Sequence, residues 1–156
     1  MRIRGTMIAC FSFVCVILFI FTACGGGTHQ SANWQVSVKS AKYEKGFTIG
    51  AQKSDGFVVR MDIRYLGKPG KVVLPEVYLL SDKGKIFASA IHSDNKFTNK
   101  MISLLVLDQQ KYDLKKGELI CGDSASFFYD IQKESKLSLK LVVGDIPPFS
   151  VGSSGI

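Results

Sequence analysis

The chain is expected to fold as an antiparallel β-sandwich of about seven strands. Three observations predict this. Apolar and polar residues alternate with a period of two in several runs after residue 33. Turn formers punctuate those runs at Asp55-Gly56, Gly67-Lys68-Pro69-Gly70, Asp82-Lys83-Gly84, Ser93-Asp94-Asn95 and Lys116-Gly117. No stretch of this region keeps a helical period, although Lys100 to Gln110 is too apolar on all sides to assign by period alone. Many short strands without helices in roughly a hundred residues can bury their faces only by packing sheet on sheet.

Before the domain comes a different kind of segment. Arg2 and Arg4 give a short positive start, and Met7 to Phe21 carries no charge. A basic end, an apolar stretch and a small residue before a cut describe a secretory signal. Thr6 to Cys24 is 19 residues, close to the ~20 that a helix needs to cross a bilayer, so an uncleaved anchor is the alternative. A span usually ends in aromatic or basic anchors. Here the run ends in Thr22-Ala23-Cys24 and three glycines.

Phe21-Thr22-Ala23-Cys24 resembles the lipobox of bacterial lipoproteins. The resemblance implies that residues 1–23 are removed and that the Cys24 thiol carries a diacylglyceryl group. It places the protein on the extracytoplasmic side of the cell membrane or outer membrane, where two or more acyl chains hold firmly. Residues 24–33 (CGGGTHQSAN) then read as the lipidated cysteine and a short flexible spacer.

The domain itself is assigned to residues 34–146. Trp34, Val36 and Val38 alternate with Gln35, Ser37 and Lys39 in the first strand. Phe57, Val59, Met61, Ile63 and Tyr65 share one face of a long second strand, opposite Val58, Arg60, Asp62 and Arg64. Shorter candidates lie at Glu76 to Leu80, Lys85 to Ile91 and Lys100 to Leu107. Ala125, Phe127, Tyr129 and Ile131 form the inward row of another strand, and Leu137, Leu139 and Leu141 that of the last. Residues 147–156, with Pro147-Pro148 and Val151 to Ile156, read as a loose C-terminal tail.

Several of these segments also carry a resemblance. They are Asn33 to Val38, Phe57 to Tyr65, Leu80 to Phe87, Leu114 to Glu118 and Phe128 to Ile131. Their order is similar to that of the DUF4352 family of immunoglobulin-like extracellular and lipoprotein domains, over roughly Trp34 to Val143. Two positions depart from the family pattern. Leu66-Gly67 stands where an asparagine usually ends the second strand, and Gln132 where a proline usually follows the later one. The resemblance implies an immunoglobulin-like sandwich and an extracellular location, and it brings no catalytic residues.

Charge and cysteine usage narrow the function classes. The whole chain carries a net charge of +7, and loss of Arg2 and Arg4 leaves 18 basic against 13 acidic residues, or +5. Nearly all the positive charge is lysine. Such a surface suits anionic lipid headgroups or acidic polymers of the envelope. Nucleic acid is not expected as a partner outside the cytoplasm, and no nucleic-acid motif is present. Cys10 and Cys15 leave with the signal and Cys24 is acylated, so Cys121 stands alone and no internal disulfide can form.

No catalytic constellation is evident, and the chain is not expected to be an enzyme. His29 lies in the spacer and His92 follows a strand, without a nucleophile elbow, a zinc-ligand pair or a phosphate-binding loop. Asp108, Asp113, Glu118 and Asp123 crowd one stretch, but Lys111, Lys115 and Lys116 lie among them and no calcium-loop spacing appears. No metal or cofactor is therefore expected. Cys121, beside Leu119 and Ile120, reads as a small buried hydrophobe.

The outward lysines are the candidate binding residues. Lys39 and Lys42 lie on or after the first strand and Lys136 and Lys140 on the last. If those strands are neighbours, the four form one basic strip, which Trp34 and Tyr43 could frame. The plainer readings are that the lysines protect a sheet edge and that Trp34 is core, in phase with Val36 and Val38. The function expected is a membrane-held, non-catalytic binding module for an envelope protein or anionic polymer. The alternative is an accessory subunit or inhibitor of an envelope enzyme or transporter. An exposed apolar patch would favour that alternative, and a deep pocket joining His92 to a carboxylate and a serine would favour an enzyme.

Overall fold

The computed structural model describes residues 27–94 and 98–153. The signal, the lipobox and Cys24 lie outside these residues. Eleven strands, one helix and one 3₁₀ turn follow in order among the described residues. They are β1 (Gly27–Gln30), β2 (Trp34–Ile49), β3 (Gln52–Tyr65), β4 (Gly70–Val73), β5 (Val77–Ser81), β6 (Gly84–Phe87), β7 (Ala90–His92), α1 (Asn99–Val106), β8 (Lys111–Leu114), β9 (Leu119–Tyr129), a 3₁₀ turn (Lys133–Ser135), β10 (Ser138–Val143) and β11 (Phe149–Ser153).

The strands form an antiparallel sandwich. One sheet has the order β1-β2-β3-β9-β7 and the other β11-β10-β5-β6, with β4 and β8 as a separate pair. The alternating rows meet between the sheets. Val36, Phe57, Val59, Met61, Ile63, Phe127 and Tyr129 come from the first sheet, and Leu79, Leu139, Leu141 and Val143 from the second; each is at most 1 % exposed. Burying a side chain of this size stabilises by ~1.5–3 kcal/mol, so these rows decide which face of each strand points inward.

The sequence pattern undercounts the strands, for physical reasons. Gly27–Gln30, expected to be spacer, is an edge strand paired from Gly27↔Val38 to Gln30↔Gln35. Phe149–Ser153, expected to be loose, pairs with β10. The Lys85 to Ile91 run is broken at Ala88-Ser89, so that β6 serves one sheet and β7 the other. Lys100 to Leu107 is largely helix rather than strand. Thr98 Oγ1 accepts the Met101 amide (3.3 Å) as the N-terminal cap, and Leu107 ends the helix in the left-handed region at φ 53°. Met101 and Leu104 face the core, whereas Ile102 and Val106, one turn apart, face outward.

Edge contacts close the sandwich on one side. The His29 ring on β1 stacks on Phe149 of β11 at 3.6 Å, and partial burial holds its pKa below the usual histidine range. Beyond the reach of β9, β2 and β3 continue as a two-stranded ribbon. A register break between Glu44 and Phe47, with Gly46 at φ 64°, turns that ribbon back. Phe47 thereby stacks on Phe128 at 5.5 Å. Gly56 lies against the same ring, where a Cβ would come within 2.6 Å or less of it.

Arg60 grips the Glu44 carboxylate through both guanidinium nitrogens, Nη2 lying 3.0 Å from Oε2. The Arg60 hydrogen bond holds Glu44 below the usual carboxylate range. The folded state therefore binds fewer protons there than the unfolded chain. The pair's stabilisation is full above the ordinary glutamate pKa of ~4.3 and fades as pH falls through the lowered value. Acid titration of urea midpoints is expected to show this loss, and Glu44→Gln to flatten it; an unchanged profile in Glu44→Gln would mean the pair is not coupled to folding.

One polar atom in the core has no partner. The Tyr129 hydroxyl is buried without a hydrogen bond among the described residues, and burial raises its pKa. An unsatisfied buried hydroxyl costs ~1–3 kcal/mol. Tyr129→Phe is thus expected to leave the urea midpoint unchanged or raise it. A loss beyond ~1 kcal/mol would show that the hydroxyl is bonded in solution.

Candidate functional site

β10 and β5 place Lys140 opposite Leu80 and Val142 opposite Tyr78. The β5–β6 hairpin sets Lys85 opposite Leu80 and Phe87 opposite Tyr78. Residues opposite one another across a ladder share a face. Their partners in alternation, Leu79, Leu139 and Leu141, are fully buried, so this face points out of the sandwich. Two rows result: Lys140, Leu80 and Lys85 in one, and Val142, Tyr78 and Phe87 in the other.

The hairpin turn holds this arrangement. Ser81 Oγ donates to the Gly84 carbonyl (3.1 Å) and accepts the Lys83 amide (3.1 Å). Gly84 sits at φ 118°, which a side chain would strain. The Tyr78 and Phe87 rings meet at 5.5 Å with a tilt of 55°. Lys85 Nζ lies 4.6 Å from the Tyr78 ring centre and 4.0 Å from Glu76. Phe87 is 38 % exposed. Lys140 is exposed and makes no ion pair among the described residues. A surface with a tilted aromatic pair beside two ammonium groups can take a ligand that is flat or apolar in part and anionic in part.

On the opposite outer face the lysines stand beside carboxylates. Lys39 faces Asp62 at 3.9 Å and Lys42 faces Glu44 at 3.7 Å, the same carboxylate that Arg60 holds. Asp62 Oδ1 also accepts the Ser124 amide at 2.8 Å. The expected strip of Lys39, Lys42, Lys136 and Lys140 is therefore not formed. β2 and β10 belong to different sheets, whose outer faces point in opposite directions. Lys136 precedes β10 in the left-handed region at φ 47°, and only Lys140 joins the aromatic face.

The aromatic residues expected beside that strip are placed otherwise. Trp34 is 5 % exposed and packs on Tyr65 at 5.1 Å, which makes it core. Tyr43 is half-buried against the core. Cys121 is 3 % exposed. Burial pushes its thiol up to about 12, with a hydrogen bond from Ile63 opposing, so it stays protonated and unreactive.

His92 Nε2 lies 3.1 Å from Asp94 Oδ1. The two side chains are 53 % and 89 % exposed, and no serine hydroxyl bonds to the ring among the described residues. The dyad is an open surface pair. Glu118 is held by Lys100 and by the Lys115 amide (2.9 Å), which lower its pKa in that order. Asp108 accepts the Gln110 amide at 2.9 Å. Among the described residues no three His, Cys, Asp or Glu side chains gather as metal ligands. No helix of the described residues is long and apolar enough to cross a membrane.

Tyr78, Lys85 and Phe87 were not singled out by sequence. Their signal was the in-phase spacing of Tyr78 with Leu80 and of Lys85 with Phe87 around Asp82-Lys83-Gly84, which becomes a surface only once β10 is known to lie beside β5.

Trp34 also offers a direct check on the core. Gly144 sits at φ 53°, and a Cβ there would come 2.9 Å from the indole. Gly144→Ala is expected to destabilise by ~1–3 kcal/mol and to shift the emission of the single tryptophan. Unchanged emission and stability would show that the turn can move aside. Comparison with protein-family models, with curated proteins and with solved structures gives no significant match.

Proposed function

We propose that the protein is an extracytoplasmic lipoprotein, anchored through Cys24, whose sandwich is a non-catalytic binding module for an anionic polymer of the envelope. The observation that carries the binding reading is the outer face of the four-stranded sheet. Lys85 and Lys140, on either side of Leu80, stand in the row beside the half-buried Tyr78 and the exposed Phe87, and Lys140 has no internal counter-charge among the described residues. Polyanion binding there needs no reaction, only dispersed positive charge and flat apolar contact. Kinship with the DUF4352 immunoglobulin-like domains is part of the same proposal, supported by the antiparallel sandwich and the lipobox-like Phe21 to Cys24.

A second reading has its own observation. Ile102 and Val106 on α1 are 43 % and 61 % exposed. An apolar helix face of this kind supports docking of a protein, as an accessory subunit or inhibitor would require.

Binding of poly(glycerol phosphate) to the full chain in detergent micelles separates the two. The polymer proposal expects binding that weakens with salt and falls about tenfold or more in Lys85→Glu/Lys140→Glu. Ile102→Glu/Val106→Glu should leave that affinity unchanged. No binding by the unaltered chain would sink the polymer reading. An intact-mass spectrum of the mature N-terminal peptide tests the anchor separately: Cys24 without an acyl group would remove it.

A further inference from the structure

The place where the chain enters the sandwich constrains how the domain can meet a membrane. Only Gly25 and Gly26 stand between Cys24 and β1. Three peptide steps reach at most ~11 Å, so a lipid on Cys24 keeps the bilayer surface close to Gly27. β1 is the edge strand of its sheet, and Gly27 pairs with Val38.

Gly27 does not lie at an end of the sandwich. β2 runs on past Val38 through Glu44, paired with β3 on either side of the extra residue Lys39, a further ~20 Å at the usual rise per residue. In the other direction β1 continues to Gln30 and the chain to Asn33, whose side chain bonds to Asp145 at 3.0 Å. The anchor thus leaves from the middle of a long edge. Pointing the Glu44 end of this edge at the bilayer would carry it ~9 Å past the tether's reach, through a headgroup layer only ~6 Å deep. The Asn33 end lies ~10 Å or more from Gly27, so turning it to the bilayer would take up the whole tether.

We infer that the domain lies on its β1–β2 edge, with Lys39, Lys42 and Lys45 against the phosphate-bearing headgroups of anionic lipid. The inference rests on the Cys24 anchor proposed above. The side chains of Lys39 and Lys42 are 54 % and 64 % exposed despite their carboxylate neighbours. Lys45 is exposed at the bend of the ribbon and has no ion pair among the described residues, and the same is true of Lys53 on the facing strand. Along this edge, among the described residues, β2 has no partner beyond Val38 on its β1 side, so lysines guard it from other strands and meet the membrane together. β6, carrying Lys85 and Phe87, is the opposite edge of the other sheet. The polymer-binding face thereby stays open on the side away from the bilayer.

The test uses the full chain reconstituted into vesicles of phosphatidylglycerol and phosphatidylcholine. A polarity-sensitive dye is placed on Lys45→Cys or on Lys85→Cys, and the lipid headgroups carry a nitroxide quencher. Cys121, at 3 % exposure, does not take the dye in folded protein, and Trp34 emission reports that each variant is folded. Quenching at position 45 is expected to exceed that at position 85 by about threefold or more, and the difference to shrink in pure phosphatidylcholine or in ~0.5 M salt. Equal quenching, stronger quenching at position 85, or indifference to lipid charge would overturn the inference while leaving the anchor intact. A chain that fails to float with the vesicles and has no acyl group on Cys24 would instead remove the anchor, and the inference with it.

Discussion

β3 is the ruler against which both of its neighbours are set. Its inward row, Phe57, Val59, Met61, Ile63 and Tyr65, is unbroken and almost wholly excluded from water. Neither neighbour matches it residue for residue. β2 turns Trp34, Val36 and Val38 inward and then, after one extra residue at Lys39, packs Ala41 and Tyr43 against the core. β9 places Gly122 to Ser124 opposite the single residue Asp62 before Ala125 resumes the pattern. A slip of one residue would turn a whole row outward, so the one-residue bulge at Lys39 is what keeps β2 in phase with β3. Asp62 pairs with Ser37 on one side and faces the β9 irregularity on the other. Its carboxylate accepts the Ser124 amide, which stands in a left-handed conformation at φ 55°, and faces Lys39.

This explains what could and could not be read beforehand. The rows of β3, β9 and β10 were legible because burial on one face imposes a strict period of two. The interruption after Val38 was legible only as the end of a strand, since a bulge and a turn look alike when the partner strand is unknown. β1 and β11 were hidden for another reason. Their residues, GTHQ and FSVGS, carry little alternation, because an edge strand owes its place to backbone pairing and to single contacts such as His29 on Phe149. The helix was ambiguous because its composition is apolar around much of its circumference. The Thr98 cap and the Leu107 stop settle it, and both depend on backbone geometry.

The candidate site was less legible than the fold. Lysines can be counted from sequence, but whether they add depends on which sheet each strand joins. Lys39 and Lys42 end beside carboxylates on one outer face, and Lys140 ends on the other, next to aromatics contributed by β5 and β6. Nothing local to Lys140 announces Tyr78 or Phe87, which are more than fifty residues away in the chain. Strand order puts one set of lysines beside carboxylates and leaves Lys140 on an open surface. The open surface needs no rearrangement to receive a ligand, because its side chains already stand on a two-row ladder fixed by the hairpin at Ser81 to Gly84.

In the oxidising compartment proposed for this protein, the single thiol among the described residues, Cys121, has a consequence. Packed at the bulged end of β9 and held protonated, it is invisible to oxidants while the sandwich is closed. It comes into contact with them only in molecules whose β3–β9 pairing has parted. Damage there would accumulate with the number of openings rather than with time alone, so the oxidised fraction of the population reports how much of it has come undone.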